Sequence, residues 1–251
     1  MRSSSAFAPP MPFASNPSPA RPSPLSHNRQ LPFSIALFCR MQATRIIAIR
    51  HGETAWNATA RLQGHQDIPL NALGLWQAAQ AAQALADEPV AQIYSSDLQR
   101  AYQTAQAVAG VTGAPLAAEP GLRERSFGIY EGRTFAELEA ELPEVARRWR
   151  QREPEFTPEG GESLIMLRER VRATVERLAA RHAGELIVLT AHGGVLDTLY
   201  RLATGQELQA PRTFALGNAA INRLLWTPQG LGLVGWADTS HLENTARDEI
   251  C

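Results

Sequence analysis

Two short apolar runs organise this chain. Ile46-Ile47-Ala48-Ile49 and Leu186-Ile187-Val188-Leu189 are continuous rather than alternating, the pattern of strands buried on both faces. Between and after them, apolar residues recur at helical spacing. Asn71 is placed to cap a helix from Ala72 toward Ala86, and Ile93-Tyr94-Ser95 predicts a short strand. Asp97 then caps a helix carrying Arg100 and Tyr102 through Ala109. Phe135 to Arg152 reads as helical with a break at Leu142-Pro143. Glu162-Ser163 opens a longer helix to about Arg181, with Leu164, Leu167, Val171, Val175 and Leu178 on one stripe. A further helix follows His192 and stops at Gly205. Ile221–Trp226 and Leu231–Trp236, separated by Thr227-Pro228-Gln229-Gly230, predict a hairpin. Strands alternating with helices imply an α/β fold: three α/β/α layers around a mostly parallel sheet.

Each apolar run ends in a polar burst. The first passes into Arg50-His51-Gly52-Glu53-Thr54, the second into Ala191-His192-Gly193-Gly194. The carboxyl ends of parallel strands are where open α/β sheets place their ligand crevices, so two imidazoles are expected side by side in one pocket.

Four blocks carry a resemblance. Arg50-His51-Gly52-Glu53-Thr54-Ala55-Trp56-Asn57 and Ala191-His192-Gly193 enclose Tyr94-Ser95-Ser96-Asp97-Leu98-Gln99-Arg100-Ala101 and Leu122-Arg123-Glu124-Arg125-Ser126-Phe127-Gly128-Ile129-Tyr130-Glu131-Gly132. In that order, over roughly Met41 to Trp236, the chain resembles the histidine phosphatases of the phosphoglycerate-mutase-like branch. The resemblance implies that fold and a set of roles. His51 is the nucleophile that becomes phosphohistidine, and Arg50, Arg100 and His192 clamp the phosphoryl oxygens. Glu124 is the general acid. Asn57, Gln63, Gly64 and Gly193 line the phosphate pocket or its rim. No cofactor is implied.

Elementary chemistry supports these assignments. Neutral imidazole is a good nucleophile near neutral pH, and its second nitrogen must be a donor that fixes the tautomer. The plain alternative for His51 is a satisfied core histidine. Arg50, at the end of a buried strand, requires an anion or carboxylate nearby. Helical arginines such as Arg100 are usually solvated, and only its phrase argues otherwise. An imidazolium at His192 would donate both hydrogens to phosphate. Beside an anion a carboxyl group retains its proton more readily, which leaves Glu124 able to donate to a departing alkoxide. An ion pair of Glu124 with Arg123 or Arg125 is its plain alternative, and Glu53 is a reserve acid. Asn57 could equally be a turn residue.

Composition narrows the partners. The 251 residues carry net charge −1, which gives no reason to expect nucleic acid or a membrane surface. All 24 basic residues are arginine, which excludes a Walker-type loop and Schiff-base chemistry. Any anionic substrate must then be held by guanidinium groups. Cys39 and Cys251, at opposite margins, suit a reducing, cytoplasmic setting. No metal constellation is visible: His65 and Asp67 lack further ligands and read as surface, as do His182 and His241. Residues 1–40 hold four arginines, no acidic residue and many Pro and Ser, and are expected to be a disordered extension ahead of a catalytic domain over 41–251.

The reaction expected is hydrolysis of a small phosphomonoester. The alternative is a 2,3-bisphosphoglycerate-dependent phosphoglycerate mutase, with that compound as cofactor, and a third reading is a silent module that binds phosphorylated ligands. The short segment from Glu124 to Ser163 and Gly194-Val195 after the second His-Gly depart from the mutases and favour hydrolysis. Specificity is expected from Phe135–Phe156, where Arg147, Arg148, Arg150 and Arg152 retain positive charge and Trp149 and Phe156 read as core. The C-terminal hairpin offers an edge for a homodimer.

Overall fold

The structure, a computed structural model, describes residues 42–243. The expectations for residues 1–40, Cys39 and Cys251 lie outside them. Six strands form one sheet in the order β3-β2-β4-β1-β5-β6: β1 Thr44–Arg50, β2 Val90–Ser95, β3 Leu116–Ala118, β4 Leu186–Ala191, β5 Ile221–Thr227 and β6 Gly230–Asp238. The pairs among β3, β2, β4 and β1 are parallel, whereas β5 is antiparallel to β1 and β6 to β5. The mostly parallel α/β sheet is therefore as expected. The short strand β3 has no apolar run of its own and gave no sequence signal.

Alternate side chains of β1 explain the layers. Ile46 and Ala48 pack with Leu167, Val171, Val175 and Leu178 of α6 (Leu164–Ala179) and Val195, Leu196 and Leu199 of α7 (Gly193–Thr204). Ile47 and Ile49 face the opposite layer, where Ala82 and Leu85 lie at the end of α2 (Ala72–Gln83) and Ala105 and Val108 on α3 (Gln99–Thr112). Both faces of the strand are buried, so its apolar run has no polar alternation. Between Phe135 and Arg150 the chain forms α4 (Phe135–Glu141) and α5 (Pro143–Arg150), broken at Pro143 as expected. A third cluster of Tyr130, Leu138 and Phe156, joined by Leu62 and Trp149, holds this pair.

The caps decide how the loops reach the site. Asn71 accepts from Gly74 N at 2.8 Å, as expected of an N-cap. Asp97 does not cap α3. Its carboxylate takes Arg123 instead, and the amide of Gln99 donates to Asp67 Oδ1 at 2.7 Å. Asp67, expected at the surface without a role, therefore ties the loop after α1 (Ala55–Ala58) to the start of α3. Among the described residues no helix is long and apolar enough to cross a membrane.

Candidate active site

Register brings the two histidines together. Arg50 and Ala191 are partners on the neighbouring parallel strands β1 and β4, and His51 N donates to Ala191 O at 3.0 Å. His51 and His192 follow one residue later, with ring centroids 5.1 Å apart. Gly52 is required here, because a Cβ on it would lie 2.3 Å from Gly74 O at the start of α2.

The nitrogen roles follow from the hydrogen bonds. His51 Nδ1 lies 2.7 Å from Gly52 O, so it carries the proton and Nε2 keeps the lone pair. Burial, then Arg100 and Arg50, hold the His51 pKa well below the ordinary imidazole value, so it is neutral and nucleophilic at neutral pH. His192 Nδ1 accepts from Arg100 Nε at 3.2 Å, which places the His192 proton on Nε2. That atom is buried without a partner. A neutral ring offers one hydrogen, because Arg100 occupies the other nitrogen, and the imidazolium expected with phosphate bound requires Arg100 Nε to release Nδ1. Burial, Arg100, His51 and Arg50 lower the His192 pKa in the same direction.

Arg100 is 1% exposed and is no solvated helix residue. Its Nη atoms donate to Gln66 O and Gly64 O, both at 2.8 Å, leaving two of its five hydrogens for a ligand. Burial lowers its pKa to about 10, and it remains a cation at neutral pH. Arg50 bonds Leu216 O, and its Nε is buried without a partner. No carboxylate bonds Arg50, so the anion its position calls for is one the protein does not supply.

Glu124 makes no side-chain ion pair with its neighbours. Arg123 goes to Asp97, and Arg125 donates to the carbonyls of Glu162 and Phe156. The Glu124 carboxylate instead accepts from Arg125 N at 2.8 Å and from Gly194 N at 3.0 and 3.1 Å. The sequence marked Gly194 only as a departure from the mutases, and pointed to Gly193 as the pocket residue. A Cβ on Gly194 would meet Glu124 Oε1 at 2.3 Å, whereas one on Gly193 has its nearest neighbour at 3.7 Å. Gly194→Ala is expected to displace the carboxylate and lower turnover about 10-fold or more, with Gly193→Ala much milder. Steady-state kinetics of the pair check this.

The rim residues are positioned less directly. Asn57 Oδ1 accepts from Thr54 in a capping box, so it is a helix-capping residue whose amide nitrogen alone is left for a ligand. Gln63 is buried with Oε1 unpartnered. Gly64, at φ +52°, leaves room for Glu131, which accepts from His65 N and Phe127 N. Glu53 accepts from Asn71, away from an acid role. His65 also departs from its surface assignment, its Nε2 lying 2.9 Å from Glu124 O. His182 contacts Tyr94 Oη at 2.9 Å and His241 contacts Ala219 O at 3.1 Å, so neither is a free surface group. Among the described residues no three His, Cys, Asp or Glu side chains are grouped to hold a metal ion.

A cavity of about 490 Å³ opens from Arg50, Glu124, Gly193 and Gly194. Phe127, Trp149, Leu164 and Phe214 supply apolar wall, so Trp149 serves the cavity as well as the core. Arg147, Arg148 and Arg150 pair with Glu144, Glu153 and Glu139, which leaves Arg152 as the α5-region arginine that reaches this cavity.

A model of the histidine phosphatase superfamily (branch 1) matches residues 46–239. The chain belongs to that family. Phosphoglycerate mutase-like protein 4 of Arabidopsis thaliana is 37% identical over 209 residues, covering 80% of this chain and 87% of the relative. The metal-independent phosphoserine phosphatase of the same plant is 36% identical over 220 residues, covering 86% and 90%. Among solved structures, the phosphoserine phosphatase of Entamoeba histolytica in complex with 3-phosphoglyceric acid superposes with a TM-score of 0.71 at 30% identity, covering 79% of this chain and 99% of that one. The expected family and its α/β fold are thus as read from the four blocks, and so is its class, an enzyme of phosphomonoester hydrolysis.

The neutral, buried histidines also set a pH dependence of stability. The unfolded chain takes up protons on His51 and His192 near pH 6.5, which the folded chain accepts only well below that. Acidification therefore favours unfolding, and stability is lost as pH falls from about 6.5 toward the depressed folded values. Denaturant midpoints between pH 7.5 and 5 should fall, and His192→Asn should flatten the slope.

Proposed function

We propose that this chain hydrolyses a small phosphomonoester through a phosphohistidine at His51, with water as the final acceptor. The observation that carries the reading is a pair of buried, unmatched donors, Arg50 Nε and His192 Nε2, beside a histidine whose tautomer is already fixed for attack. A protein interior rarely leaves such donors unpaired, and a phosphoryl dianion satisfies both.

In the first step His51 Nε2 bonds to phosphorus as the P–O bond to the alcohol breaks. Glu124 passes its proton to the departing oxygen. In the second step water attacks phosphorus, Glu124 takes back a proton, and the P–N bond breaks to release inorganic phosphate. Arg50, Arg100 and His192 hold the phosphoryl oxygens in both steps, with Asn57 and Gln63 at the rim. No step calls for a metal or organic cofactor, and one relative is named as metal-independent. The acceptable substrates include phosphoserine and phosphoglycerate, the ligand classes named for relatives. A cytoplasmic setting, no nucleic-acid partner and homodimer formation through the exposed β6 edge at Leu233 and Val234 complete the proposal.

Mutase-like naming among relatives keeps one alternative, isomerisation primed by 2,3-bisphosphoglycerate. Incubation with 3-phosphoglycerate, with and without that compound, separates the two. Release of inorganic phosphate without 2-phosphoglycerate is expected. Bisphosphoglycerate-dependent formation of the isomer would overturn the choice of water as acceptor.

A further inference from the structure

We propose that Arg212 and Arg152 form a second anion subsite, which takes a carboxylate or phosphate at the end of the substrate remote from the scissile phosphate. The proposal rests on the phosphatase reading above and specifies its substrate class.

Both arginines line the same cavity as Arg50, Glu124, Gly193 and Gly194. Both are anchored on Asp197, one turn further along α7 than Gly193, or about 6 Å by helix geometry. That displacement is roughly the reach of a skeleton of two to four carbons.

Charge counting shows why an anion belongs there. Asp197 accepts from three guanidiniums: Arg152 Nη2 at 2.6 Å, Arg201 Nε at 3.0 Å and Arg212 Nε at 3.0 Å. Arg201 Nη2 remains buried and unpartnered. Arg212 spends only its Nε on Asp197, and its side chain is 46% exposed, so its Nη groups remain for a ligand. Arg125, also on the cavity wall, is held by backbone carbonyls and gives its charge to no carboxylate. One carboxylate thus serves three cations, with a fourth nearby.

The strain is mutual. Burial lowers the pKa of Arg50, Arg125 and Arg152; Glu124 offsets part of this at Arg50 and Arg125, and Asp197 at Arg152. A smaller downward push comes from another arginine: Arg212 for Arg50, Arg152 for Arg125, and Arg201 and Arg212 for Arg152. A second negative charge in the cavity relieves all of these repulsions together. The backbone points the same way. Arg152 has φ +52° directly after α5, a left-handed position usually given to glycine. An arginine is held there with its Nε on Leu208 O at 2.7 Å and its Nη2 on Asp197. Backbone strain of this kind concentrates at ligand sites. Arg147, Arg148 and Arg150 of the same helix end, by contrast, are spent in ion pairs with glutamates.

The test uses two compounds that differ only at the remote end, 3-phosphoglycerate and glycerol 3-phosphate, with the full chain and Arg212→Gln. Phosphate release gives kcat/KM for each. The ratio of the acid to the alcohol is expected to favour the acid in the wild type and to fall about tenfold or more in Arg212→Gln, the loss of one hydrogen bond to a charged group. Arg212→Lys should restore part of it. Equal losses on both compounds, or an unchanged ratio, would overturn the subsite, since a merely structural arginine affects both alike. If Arg212→Gln does not fold, Arg152→Gln is read in the same way. If the wild type hydrolyses neither compound, calorimetric binding of the same pair gives the ratio. Selectivity that Arg212→Gln abolishes then upholds the subsite while phosphoglycerate fails as a substrate, and binding of neither compound overturns the subsite and phosphoglycerate as a ligand together.

Discussion

His51→Ala is expected to lower kcat by at least about 10⁴-fold, because it removes the atom that bonds phosphorus. The loss is confined to chemistry. Arg50, Arg100 and His192 keep their positions without the His51 ring: Arg100 is held by Gly64 O, Gln66 O and His192, and Arg50 by Leu216 O. The variant should therefore still bind inorganic phosphate, with an affinity within several-fold of the wild type. Binding by calorimetry, together with single-turnover assays, checks both parts. Lost binding with a folded protein would show that His51 belongs to the clamp. Retained turnover would remove it from the reaction.

Glu124→Gln carries the next largest effect, about 10²- to 10⁴-fold on alkyl phosphates, the usual range for a general acid. The substitution keeps the local geometry. A glutamine oxygen can still accept from Gly194 N and Arg125 N, where Glu124 Oε1 now sits. What disappears is the proton for the departing alkoxide. An aryl phosphate such as 4-nitrophenyl phosphate, whose leaving group departs without protonation, should lose far less in its first step. Rates across a series of leaving groups measure this, with the steepest dependence expected in the variant. Equal losses on alkyl and aryl substrates would remove Glu124 from the acid role.

Much of the site was legible in the sequence because it lies at strand ends. A continuous apolar run followed by a polar burst states both where the strand lies and where its crevice opens. His51 and His192 were paired on that pattern alone, and the register of Arg50 with Ala191 brings them to 5.1 Å. Helix caps were legible where the capping residue is local, as at Asn71 and Ser163. They were not where the cap comes from elsewhere: the cap of α3 is supplied by Asp67, 32 positions before Gln99, and no local pattern encodes it. The same distance problem hid the importance of Gly194. A glycine at a helix start has many explanations, and only Glu124, 70 positions earlier, makes this one specific. The hydrogen bonding of His192 was not legible either. Arg100 Nε, which takes one ring nitrogen, comes from another element.

The arginines show the limit of composition. That every basic residue is arginine says what would hold an anion, not where. Arg147 and Arg150 pair on the surface, Arg170 braces loops through carbonyls, Arg125 does so from the cavity wall, and Arg50, Arg152 and Arg212 face the cavity. Only tertiary placement separates these uses, because the side chain is chemically the same in each.

A phosphohistidine at His51 is detected by stopping the reaction within its first turnovers and mapping phosphate on the denatured protein by mass spectrometry under alkaline conditions. One acid-labile phosphoryl group is expected on Nε2 of His51, disappearing as inorganic phosphate forms. No such group is expected in His51→Ala. Phosphate found on another residue, or turnover at the wild-type rate with no phosphoryl-enzyme formed, would contradict a phosphohistidine at His51.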